Sequence, residues 1–98
     1  MKYVLKDKTL TLYFEGELNS FNSEDVENEI EEILNSNDNY KKLVLDLEKL
    51  RYISSAGLRI IVKLKQENDD LKLVKVPEGV YDVFEMVGFQ NIVDIERL

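Results

Sequence analysis

From Thr9 onward the chain switches repeatedly between two hydrophobic periods, and this alternation restricts its fold more than any other feature. In residues 9–14 the apolar Leu10, Leu12 and Phe14 alternate with Thr9, Thr11 and Tyr13, the period of a half-buried strand, and the preceding Tyr3, Val4 and Leu5 offer a hairpin partner. Val26, Ile30, Ile33 and Leu34 then fall on one face of a helix otherwise rich in glutamate. Asn22 is its expected N-cap, with Phe21 and Val26 placed as a hydrophobic staple and Asp25 at the third helical position. Residues 43–47, Leu-Val-Leu-Asp-Leu, form an apolar run without alternation, expected of a parallel strand covered on both faces. Helical spacing returns from Gly57 with Ile60, Ile61 and Leu64, and Leu58 and Val62 widen the stripe, so this second helix is expected to be the more buried. A strand at residues 71–76, a helix carrying Val80, Val83, Phe84 and Val87, a C-cap at Gly88 closed by Phe84 against Phe89, and a last short strand in residues 91–95 complete the pattern. Alternation of this kind specifies an α/β fold: a single-layer mixed, mostly parallel β-sheet with crossover helices and an antiparallel N-terminal hairpin.

At 98 residues the chain has material for one core and one domain. It contains no cysteine and no histidine, which removes disulfides, thiol chemistry, the usual zinc sites and the Ser-His-Asp arrangement. No glycine-rich lysine loop is present to cradle a nucleotide, and no cofactor or metal is expected. Twenty acids against 13 bases give a net charge of -7, which disfavours binding to nucleic acid or to a membrane surface. With no basic-then-apolar leader and no spanning stretch, a cytoplasmic location is expected.

In an alternating sheet, function gathers where strands end and helices begin. Residues 52–59, Tyr-Ile-Ser-Ser-Ala-Gly-Leu-Arg, occupy such a junction. Spacing alone reads Ser55 or Ser54 as a cap of the second helix, with Ser55, directly before the small pair Ala56 and Gly57, as the expected cap. A phosphoryl group there would meet free amides and the positive end of the helix, with Arg59 one turn along. Asp46, expected at the end of its strand, reads either as an orienting residue for this turn or as a simple strand-end acid. Asn19, Ser20 and Asn22 precede the first helix on the same side of the sheet, with either partner contact or turn chemistry as their role. Leu58 is a candidate anchor for a partner or a core residue. A serine nucleophile would lack a recognisable base, so catalysis is not expected.

The segments GELNSFNSEDVENEI (16–30), KLVLDLEKLRYISSAGLRIIVKLKQ (42–66) and VYDVFEMVGFQNIVDI (80–95) resemble the STAS domain family over nearly the full length, specifically the small stand-alone anti-sigma factor antagonists of bacteria. The resemblance implies one STAS domain across residues 1–98. It implies a partner anti-sigma factor with serine kinase activity and a serine phosphatase that reverses the modification, the unmodified form binding the anti-sigma factor and freeing the sigma factor. The acceptor position falls on Ser55, with Ser54 as second choice; many members carry Asp where this chain has Ser54. Asn19, Ser20, Asn22, Ser54, Ala56, Gly57, Leu58 and Arg59 are the corresponding partner-binding candidates, and the oligomeric state is left open. A second class shares the fold without regulatory phosphorylation: a STAS subunit of a lipid transporter or of a signalling scaffold.

Overall fold

A computed structural model describes residues 1–98. In chain order it contains β1 (Lys2–Lys6), β2 (Thr9–Leu18), α1 (Ser23–Ser36), β3 (Lys42–Ile53), α2 (Ser55–Glu67), β4 (Leu71–Val76), α3 (Glu78–Met86) and β5 (Asp94–Arg97), with a 3-10 turn at Phe89–Asn91 before the last strand. The strands lie side by side in the order β1-β2-β3-β4-β5. Only β1 runs antiparallel to its neighbour, so the expected mixed, mostly parallel sheet is what forms.

An unreversed strand order with right-handed crossovers carries α1, α2 and α3 to one face of the sheet. Burial agrees. Leu10, Leu43 and Leu71 stand in register across three strands, as do Leu12, Leu45 and Leu73, and all six are buried in the core. Between them, Thr11, Val44 and Lys72 are only half-buried and Tyr13 is exposed, so the run at residues 43–47 is not covered on both faces as its composition suggested. Val44 and Asp46 take the positions on that second side, and it is the apolar Val44 that hides the alternation in the sequence.

The hairpin that starts the sheet closes through Asp7 and Lys8, both with positive φ (52° and 65°), the two-residue turn whose twist suits the flanking strands. The Lys8 carbonyl accepts hydrogen bonds from the Lys41 and Lys42 amides at 2.8 and 3.2 Å, fixing the turn to the start of β3. Further along, β3 outruns β2: Tyr13 pairs with Asp46 but Glu15 with Lys49, and Gly16 pairs with Leu50 but Glu17 with Tyr52. Each shift inserts one extra residue in β3 and reverses which side its side chains take, so Leu47, Leu50 and Ile53 are all buried although they are three residues apart. Gly16, at φ 76°, sits at the second shift, in a backbone region costly for other residues.

As expected, α2 buries more than α1: Ala56, Gly57, Ile60, Ile61 and Leu64 against Ile30 and Ile33. The two helices are joined at their surface by Lys63, whose ammonium lies 3.1 Å from Glu27 and 3.3 Å from Glu31. Helix α3 ends as its sequence implies. Gly88 is left-handed at φ 79°, its amide donates to the Glu85 carbonyl, and Phe84 stacks on Phe89 with ring centroids 5.3 Å apart.

Candidate functional site

Strands β2 and β3 end side by side, and the Ser54 amide donates to the Leu18 carbonyl at 2.9 Å. That bond places the loop between β2 and α1 next to the start of α2, so the two groups of site residues share one end of the sheet. Ser54, not Ser55, is the N-cap: its backbone is extended (φ -97°, ψ 176°) and its carbonyl accepts the first helical bond, from Leu58, at 3.0 Å. Strand β3 runs on to Ile53, six residues beyond the apolar run at 43–47, and α2 begins at Ser55, one residue before Ala56.

The two hydroxyls have different surroundings. Ser54 Oγ is enclosed, makes no cap bond and has no hydrogen-bond partner. Ser55 is exposed at the first helical position. Helix geometry leaves the opening amides of α2 without intrahelical acceptors, and no side chain takes them up. The first turn holds no acid, so added negative charge at Ser55 would meet the positive end of a 13-residue helix.

Ala56 and Gly57 are turned into the molecule and are not a surface for a partner. Helix α2 approaches so closely there that a Cβ on Gly57 would lie 2.7 Å from Ile53 Cγ1 and 2.8 Å from Leu18 Cγ. Leu58 is half-buried against the core, which favours its packing role over that of an anchor. Arg59 and Arg51 are exposed.

On the adjoining loop, Asn19 and Asn22 hold each other. Asn19 Oδ1 accepts from the amides of Phe21 and Asn22 at 2.9 and 3.1 Å, while Asn22 Oδ1 accepts from the Asn19 amide at 2.9 Å. Asn22 Nδ2 also donates to the Glu17 carbonyl at 2.7 Å. Asn22 therefore stands at the N-cap position of α1 but uses its side chain to lock the loop, without capping the helix. Asp25 does occupy the third helical position. The lock points Phe21 outward with 95% of its surface exposed, so the expected staple with Val26 does not form. Phe21 is thus a surface residue that spacing rules assigned elsewhere; the paired Asn19 and Asn22 are the signal that could have located it.

Asp46 lies in the middle of β3, well before the serines. Its Oδ1 accepts from the Glu48 amide at 3.1 Å and its Oδ2 faces Lys75 Nζ at 3.9 Å. Neither contact reaches the serine turn, so the orienting role has no bond to act through. A cleft of about 460 Å³ near this end is lined by Phe14, Leu18, Asn22, Val26, Asp46 and Lys75 among others, and by neither serine. The serine turn with its adjoining loop is therefore an exposed surface, not a pocket. No group of three or more acids is arranged to hold a metal, and no helix is long and apolar enough to cross a membrane.

The fold is shared with known proteins. The STAS domain model matches residues 1–97, and the chain belongs to the STAS domain family. It is 37% identical over 90 residues to BtrV of Bordetella bronchiseptica, a protein named for anti-sigma factor antagonism, covering 88% of this chain and 76% of that one. The crystal structure of an anti-sigma factor antagonist candidate from Thermotoga maritima superposes with a TM-score of 0.86 at 24% identity, covering 99% of this chain and 86% of that one. The Bacillus cell fate determinant SpoIIAA in its phosphorylated form gives 0.66 at 16% identity, covering 96% and 90%. These structural likenesses are likenesses of fold.

Proposed function

We propose that this chain is an anti-sigma factor antagonist controlled by phosphorylation of Ser55. In its unmodified form it binds an anti-sigma factor with serine kinase activity and so releases the sigma factor; the kinase transfers a phosphoryl group to Ser55, and a serine phosphatase restores the hydroxyl. The observation that carries this reading is the contrast between the exposed Ser55 and the enclosed hydroxyl of Ser54. The name of BtrV and the existence of SpoIIAA in a phosphorylated form support it.

The energetics suffice. Turning a complex from nearly all bound to nearly all free takes about 5.5 kcal/mol of differential affinity. An unpaired charge in a docked interface costs roughly 2–5 kcal/mol or more, and a phosphate carries nearly two charges. The open amides of α2 let the helix accept that charge, so the penalty falls on the complex and not on the fold.

The test is incubation with the anti-sigma factor kinase of the source organism and ATP, followed by mass spectrometry of the tryptic peptides spanning residues 52–59. One phosphate is expected on the parent and on Ser54→Ala, and none on Ser55→Ala. An unmodified parent, together with recovery of transporter subunits as the bound partner, would overturn the proposal in favour of a scaffold role.

A further inference from the structure

The sheet has two edges, and they are built differently. Strand β5 is four residues long and mostly charged, the usual protection of an exposed edge. Strand β1 reads Lys-Tyr-Val-Leu-Lys, and every one of its residues is exposed, with Tyr3, Val4 and Leu5 at 44%, 49% and 37%. Its pairing with β2 sets Lys6 against Thr9 across the two-residue turn, so Lys6, Val4 and Lys2 are the residues that bond to β2. The amides and carbonyls of Tyr3 and Leu5 consequently point away from the sheet, a row of unpaired donors and acceptors on an apolar strand.

Charge decides what can pair there. A second copy could use both Tyr3 and Leu5 only in the antiparallel register that sets Tyr3 against the other copy's Leu5. That register also sets Lys2 directly against Lys6 twice over, and like charges directly opposite oppose pairing. The charged side chains of β1 are Lys2 and Lys6 alone, both cationic in a chain with net charge -7.

We propose that β1 is a docking edge for an extended acidic segment of another protein, which adds as a sixth strand. The segment bonds to the backbone of Tyr3 and Leu5, and presents two acids four residues apart, opposite Lys2 and Lys6, with an apolar residue between them opposite Val4. None of the serine-site residues belongs to β1, so this edge can be occupied whatever the state of Ser55.

The probe is a blocked peptide Glu-Thr-Val-Thr-Glu, titrated into the full chain with backbone amide shifts followed by NMR; its counterpart Lys-Thr-Val-Thr-Lys is the control. The acidic peptide is expected to saturate shifts at Tyr3 and Leu5 and to bind at least ten-fold more tightly than the basic one. The double substitution Lys2→Glu and Lys6→Glu should reverse the preference. Tyr3→Pro, which removes an outward amide that the sheet does not use, should abolish binding while leaving the thermal midpoint within a few degrees of the parent. No saturable shift at Tyr3 and Leu5, equal binding of both peptides, or an unchanged preference in the charge-reversed variant would overturn the proposal. So would dimerisation of the parent through β1 in sedimentation, which would give the edge to a second copy.

Discussion

Gly57→Ala tests the way the helix is seated under the serine turn. The new methyl carbon would lie 2.7 Å from Ile53 Cγ1, 2.8 Å from Leu18 Cγ and 2.9 Å from Leu18 Cδ2. Carbon atoms pack at about 3.5 Å or more, so roughly 0.8 Å must be opened at the tightest of the three contacts. None of these atoms except Leu18 Cδ2 is the free end of a side chain, so relief requires a rotamer change in a buried residue or a shift of α2. Overpacking of this kind costs about 1–3 kcal/mol, and replacing glycine by alanine in a helix returns up to about 1 kcal/mol. The expected net loss is about 1–2 kcal/mol, which lowers Tm by roughly 4–8 °C for each kcal/mol in a domain of this size. Urea and thermal unfolding monitored by circular dichroism measure it. Gly79→Ala is the internal control: no atom lies within 4 Å of its added Cβ, so it is expected to be neutral or stabilising by up to about 1 kcal/mol. If Gly57→Ala proved as stable as the parent while Gly79→Ala behaved as expected, the tight seating of α2 against Leu18 and Ile53 would be refuted.

Ser54→Ala should leave stability within about 0.5 kcal/mol of the parent, because its hydroxyl is buried without a partner; an unfolding curve showing the roughly 1 kcal/mol loss of an ordinary cap would contradict this. Phe21→Ala should leave Tm unchanged, its ring being in solvent, yet weaken anti-sigma factor binding by about 30-fold in calorimetry, the effect of losing roughly 2 kcal/mol at an aromatic anchor. Tyr40 donates to Asn68 Oδ1, and burial, reinforced by Glu67, raises its pKa. Its neutral form is therefore favoured by the fold: this contribution is complete below about pH 10 and lost as pH rises through the raised folded value. Tyr40→Phe should lower stability by about 1 kcal/mol at pH 7 and flatten the alkaline decline in denaturant titrations.

The regular stretches were legible because their periods follow directly from the geometry of strand and helix. Leu10, Leu12 and Phe14, and Phe84 with Gly88 and Phe89, behave as their spacing demands. What escaped were departures from period. The second half of β3 buries Leu47, Leu50 and Ile53, a three-residue spacing that resembles a helix unless the two shifts against β2 are known. Those shifts depend on how two distant segments pair, which no local pattern records. Helix α2 also starts at Ser55, one residue before the small pair, so the cap is Ser54 and not Ser55. In the candidate site, residue type located the turn, but which serine faces solvent is decided by the seating of α2 on Leu18. Phe21 was assigned inward by a spacing rule that ignores side-chain bonding; Asn19 and Asn22 override it by turning the chain before the helix begins.

The mutual grip of Asn19 and Asn22 has a kinetic consequence. A partner arriving at this surface meets a segment already frozen in shape, so complex formation needs little further loss of chain freedom and no slow rearrangement. Association would then be governed by collision and orientation, with rates in the ordinary range of about 10⁵–10⁷ M⁻¹s⁻¹, and the proposed phosphorylation is expected to act on how long the complex lasts.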